Sequence, residues 1–260
     1  MTTLLLHSPA LFGALLFAAL LLAVELGRRL GLRWAPRDGG SHGGTAALDS
    51  AVFALFGLLI AFTFSGAASR FDARRDLIVQ EANAIGTAWL RVDLMPGADQ
   101  PAMRDGFRHY VDSRLAAYRQ VSDPVAFKAA LDRSAALQNH IWKRAIAATQ
   151  EAGAAPAIGT QLLPAINDMI DITTTRAMAT QMHPPGIVYV LLLGLAFASA
   201  LLAGYGVGEA HARHWLHSGI FAAILTVTLY VIVDFEHPRM GSMRVDNFDS
   251  LLVDVRKSMG

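Results

Sequence analysis

Eight residues between Leu58 and Asn83 hold the clearest chemistry in this chain. With Leu58 at zero and about 100° of turn per residue, Leu58, Phe62, Ser65, Ser69, Asp72, Asp76, Gln80 and Asn83 fall within about 40° of one line along a helix. Two apolar side chains come first, then two hydroxyls, then two carboxylates and two amides. That order suits a pore lining, in which an apolar neck that sheds water opens into a polar vestibule whose carboxylates attract cations. It also suits a plainer arrangement, with Ser65 and Ser69 as small residues that let helices approach and Asp72 onward as a solvated face. Periodicity alone leaves both open.

Two further groups are candidates. Asp234 and Glu236 close the last apolar stretch, in VDFEHPRMGSMRVD, and topology puts them on the same membrane side as Arg70, Arg74 and Arg75. Opposite charges at one depth are partly desolvated and weakly screened, so ion pairs bracing the two helices are expected. An ion-binding role for Asp234 or Glu236 is the alternative. In GEAHARHWLHSG, His211, His214 and His217 come after Glu209 and lie three residues apart from one another, a spacing at which histidines can share a metal. No fourth strong ligand follows at a set distance, and loop histidines are common at headgroup level, so no metal or other cofactor is expected. G-x-S-x-G, P-loop, H-E-x-x-H and Rossmann patterns are all absent, and the chain does not read as an enzyme.

The elements that must position these residues are membrane helices. At 53% hydrophobic residues and a mean hydropathy of +0.38, the chain is too apolar for an ordinary soluble domain. Spans fall near residues 11–26, 46–69, 187–207 and 219–233, each close to the roughly 20 residues that cross a bilayer. The first lacks a basic leader and a small-residue cleavage pattern, so it is expected to be retained. No proline interrupts Ala46 to Leu94, so a single helix is expected to leave the membrane and continue into water. Phe64, Ala68, Phe71, Ile78, Ala82, Ile85, Trp89 and Val92 form a packing seam on its other side. There are no cysteines, and a net charge of +1 gives no sign of nucleic-acid binding.

Four spans put both termini and the segment between spans two and three on one side. Arg28, Arg29, Arg33 and Arg37 flank the first loop, against Arg70, Arg74, Arg75, Arg239 and Arg244 on the domain side. So even a count does not orient the chain, and it leans only slightly towards a cytoplasmic domain. The division expected is residues 1–69 as the first transmembrane pair, 70–185 as an inserted helical domain, 186–233 as the second pair and 234–260 as a tail on the domain side. Within the domain, Asp99 with Pro101 and Asp123 with Pro124 signal two helix starts, and Leu162, Leu163, Ile166, Met169, Ile170 and Thr173 mark a third helix. With the extension of span two these make a bundle of about four helices.

Three blocks, GLLIAFTFSGAASRFDARRDLIVQEANAIGTAWLRVDLMP, LLPAINDMIDITTTR and VDFEHPRMGSMRV, resemble the signature blocks of a bacterial membrane family labelled bestrophin-like. A shorter stretch is similar to the pore helix of bestrophins, which are homopentameric ion channels: Phe62, Ser65, Arg70, Phe71, Asp72, Ala73 and Arg74 resemble F-x-x-S-x-x-x-x-R-F-x-E-A-R. Here the acid is one residue nearer the aromatic, and a glycine-phenylalanine-arginine step of that pattern is missing. The resemblance implies a multi-pass protein of the bacterial inner membrane, working in a lipid bilayer as a homo-oligomer, with the pentamer as its example, and handling inorganic ions. The expectation is an all-α channel lined by span two, cation-conducting because Asp72 and Asp76 ring the exit. A non-conducting membrane scaffold or sensor, whose helical domain binds a partner, is the alternative.

Overall fold

The structure, a computed structural model, describes residues 9–34, 43–120, 123–151, 154–209, 215–239 and 242–260. Helix α1 (Pro9–Trp34) is followed by α2 (Gly43–Leu90), α3 (Gln100–Arg119), α4 (Pro124–Thr149), α5 (Leu163–Gln181), α6 (Gly186–Glu209), α7 (Trp215–Glu236) and α8 (Ser250–Ser258). No strand occurs among the described residues, and the protein is all-α. Four segments are long and apolar enough to cross a membrane: Ala10–Trp34, Ala46–Leu94, Ile158–Gly206 and Trp215–Glu236. In the second and third, charge confines the apolar part to residues before Arg70 and after Pro185. Helix α2 runs unbroken for 48 residues, and a 3-10 turn over Arg91–Leu94 ends it.

The chain groups into two compact units, one holding the residues up to Phe71 with His183–Met243, the other Asp72–Met182 with Arg244–Gly260. In the first, α1 packs along α6 and α7. Backbone meets backbone where α1 crosses α6: a Cβ on Gly27 would lie 2.0 Å from the Leu201 carbonyl oxygen, and one on Gly204 would lie 1.9 Å from that of Val24. Ala196 and Ala200 continue the Gly204 stripe at four-residue spacing and are buried. Small residues matter here because lipid is as apolar as leucine, so helices associate through close packing. Helix α2 joins this unit by aromatic contacts instead. Phe53 meets Phe221 edge-on at 6.4 Å, and Phe64 and Phe71 lie 5.8 and 5.1 Å from Phe235.

The second unit has an aqueous-type core. Ile85, Trp89 and Val92 of α2 and its 3-10 turn pack with Phe107, Tyr110 and Val111 of α3, Ile141 and Ala145 of α4, and Ile166 and Met169 of α5. Asp123 caps α4, accepting from the Val125 and Ala126 amides at 3.0 and 3.1 Å. Asp99 makes no side-chain cap. It already has helical backbone angles, because a turn from Pro96 to Asp99 winds into α3 and leaves its carboxylate off the helix axis. A π turn, Ile158–Leu162, precedes α5. Pro164 lacks an amide to donate back, and widening of the preceding turn accommodates its ring. The tail also contributes to the core: α8 buries Leu252, and Met259 beyond it is buried as well.

Gly204→Leu should prevent recovery of folded protein or lower its melting temperature by roughly 10 °C, since the added side chain meets backbone that cannot yield. Gly194 has nothing within 4 Å of an added Cβ, so Gly194→Leu should shift melting by less than about 3 °C. Thermal unfolding in detergent compares the two. Equal losses would show that the α1–α6 crossing is not what requires glycine.

Candidate functional site

The α2 face proposed from sequence to line a pore is uncovered in the protomer. In the first unit Leu58 is 54% and Phe62 68% exposed, and Ser65 and Ser69 are exposed beyond them. In the second, Asp72, Asp76, Gln80 and Asn83 are exposed as well. The other face of the helix is taken up by packing, with Ile78, Ala82, Ile85, Trp89 and Val92 buried. Asp72 and Asp76 are not equivalent. Arg75 Nη1 donates to Asp72 at 3.0 Å and offsets its charge, whereas no cation holds Asp76 among the described residues.

Where α2 meets the end of α7, charges converge. Arg70 folds back over Gly66, where an added Cβ would come within 3.2 Å of Nη1. Its Nε and Nη2 donate to Glu236 Oε1 at 2.8 and 2.5 Å. Glu236 is fully buried and accepts at Oε2 from His183 Nδ1 at 3.2 Å. The His183 ring stacks on His237 with centroids 5.6 Å apart, and His237 Nδ1 donates to the Val233 carbonyl at 3.0 Å.

Asp234 differs from the expected ion pair. Its two carboxylate oxygens accept from the Ser242 and Met243 amides at 2.8 and 2.7 Å. The chain returning past Pro238 brings two amides to a buried carboxylate, and amides satisfy it without a guanidinium. Arg74, also buried, donates to the carbonyls of Ala179 and Met182 at 3.1 and 2.8 Å, closing the C-terminus of α5 where a cation is favoured. Arg75 additionally covers the Phe248 ring, 4.4 Å from its centroid. His211 and His214 lie outside the described residues, and His217 is exposed in the first turns of α7.

The residues singled out from sequence omit a second ionic centre, inside the second unit. Glu81 is fully buried. Arg114 Nε donates to its Oε1 at 2.6 Å, the Tyr118 hydroxyl donates to Oε2 at 3.0 Å, and Arg176 Nη1 also donates to Oε2. One carboxylate thus ties α2 to α3 and α5. Burial pushes the Glu81 carboxyl up, but the Arg114 and Arg176 guanidinium groups outweigh it and hold the group below the usual carboxylate range. Burial and the neighbouring Glu81 charge push the Tyr118 hydroxyl up. A signal was available in the sequence: Arg74 and Glu81 project about 160° and 140° from Leu58, among the buried seam residues. A charge on a packed face requires a partner.

Comparison with family models matches residues 10–247 to the Bestrophin-like domain. Neither the curated proteins nor the solved structures contain a match.

Glu81→Gln should cost about 3–5 kcal/mol, because it leaves two buried guanidinium groups without their carboxylate. The folded carboxyl is depressed, so its contribution is complete above roughly pH 4.3, the ordinary glutamate value, and disappears as pH falls through the lower folded value. The variant should therefore also lose part of the acid limb of the stability curve. Denaturant titration of the full chain, followed by tryptophan fluorescence, measures both, and a variant within about 1 kcal/mol of the parent would show that the cluster is not a stabilising centre.

Proposed function

The chain belongs to the bestrophin-like family, and from that premise we propose that it is a homo-oligomeric ion channel in which copies of α2 surround the pathway. One observation carries the reading: the face with an apolar-to-hydroxyl-to-carboxylate order is the face the protomer leaves uncovered. A four-span protomer encloses no pathway by itself, so conduction requires several copies. Five is the number that the likeness to bestrophins supplies. Leu58 and Phe62 form the neck, Ser65 and Ser69 its wetted edge, and Asp76 the principal ring of negative charge, with Asp72 weakened by Arg75. Such a ring favours cations. No catalytic role is assigned, and the location proposed is the inner membrane of a bacterium.

The absence of cysteine makes an interface test clean. Phe62→Cys should form disulfide-linked dimers in membranes, while Leu216→Cys on α7, 72% exposed, should not. Cross-linking at Leu216 but not Phe62 would mean that another face joins the copies, and the α2 pathway would fall.

Conduction is tested in reconstituted bilayers. Phe62→Ser should raise conductance by wetting the neck. Asp76→Asn should reduce cation selectivity more than Asp72→Asn, most clearly at low salt where the ring is least screened. Wild-type protein that cross-links through Phe62→Cys but passes no current would favour a scaffold or sensor instead.

A further inference from the structure

We propose that His183 and His237, stacked beside the Arg70–Glu236 pair, form a proton-sensing switch that lowers cation flow in acid. It rests on the channel reading above and adds regulation to it. The hydrogen bonds set the starting state. A carbonyl oxygen only accepts, so His237 carries its proton on Nδ1, facing Val233. An ionised carboxylate likewise only accepts, so His183 carries its proton on Nδ1, facing Glu236. Both rings therefore keep Nε2 as the open position where a second proton is taken up. The His183 side chain is 39% exposed, which gives water a route to it.

Each uptake adds one positive charge to a small volume. The charged groups of the first unit at this end are Arg70 from α2, Asp234 and Glu236 from α7, and Arg239 just after it. Asp234 is occupied by the Ser242 and Met243 amides, Arg239 is itself engaged, and Arg74, one turn beyond Arg70, is turned to the α5 carbonyls. Glu236 is the carboxylate placed to answer a protonated imidazole, and it already holds Arg70. Protonated His183 competes with Arg70 for Glu236. A second proton on His237 then meets a like charge across a ring stack of 5.6 Å, so uptake at one ring opposes uptake at the other. Arg70 follows Ser69 on α2, so charge gained here lies beside the exit of the proposed pathway, where it opposes cations.

The test uses full-length protein with labelled histidines, alongside His183→Gln, His237→Gln and the double variant, glutamine retaining a donor for the Nδ1 bonds. Histidine NMR in nanodiscs across a pH series should show proton uptake at His183 and His237 in two linked steps, and either single variant should convert the remaining ring to one step. In bilayers at low salt, cation current should fall about threefold from roughly pH 7.5 to 5.5 in the wild type and stay level in the double variant. Independent single-step titrations, or the same acid dependence of current in the double variant, overturn the switch. A wild type with linked titration but no current at any pH overturns the channel reading and leaves a proton-sensing site in a protein of another kind.

Discussion

A helix that passes from hydrocarbon into water must bury one face in two different solvents, and α2 does so with different chemistry on either side of Arg70. In the membrane unit lipid competes with every apolar contact, so α2 is held by shaped and polar interactions: aromatic rings against Phe221 and Phe235, and the Arg70–Glu236 pair. In the second unit water drives burial, and Ala82, Ile85, Trp89 and Val92 sit in an ordinary apolar core. Phe64 and Phe71 in the first unit, and Ala82, Ile85, Trp89 and Val92 in the second, belong to the one seam read along the sequence of the helix. What it leaves uncovered is a second face whose residues change from leucine and phenylalanine to aspartate along the same helix.

Buried charge is handled in three ways, each suited to what the surrounding backbone offers. Asp234 is satisfied by two amides of a returning segment. Glu236 is satisfied by one guanidinium and one imidazole. Glu81 takes two guanidinium groups and a phenol. Each carboxylate loses its hydration on burial, and full hydrogen bonding to the charged form offsets that loss. The imidazole partner is what sets Glu236 apart from the other two carboxylates. The Glu81 centre is answered by two guanidinium groups and a phenol from two other helices, which suits a fixed joint between three helices.

Much of this was legible in the residues alone. Hydropathy located the four spans, the lack of proline through Leu94 left nothing to break one long helix, and the step of 100° per residue separated the uncovered face of Leu58, Phe62 and Asp76 from the packed face of Ile78 and Ile85. Asp123 before Pro124 announced the start of α4. These features are local, since each depends on the spacing of neighbours along one helix or one turn.

Pairing across helices was not legible. Asp234, Glu236 and Glu81 are carboxylates of similar appearance in sequence, yet amides, a histidine with an arginine, and two arginines satisfy them in turn. The Asp99 signal resembled that of Asp123 but did not cap, because a preceding turn had already committed its backbone to helical angles. Gly204 looked like any glycine in an apolar run until α1 came within contact of it. The sequence by itself determined which segments are helical, which cross the membrane and which side of α2 is polar, because periodicity is a property of one chain segment. Only the tertiary structure decided which charge meets which and where backbone touches backbone, because those depend on the distance between segments that the chain order leaves free.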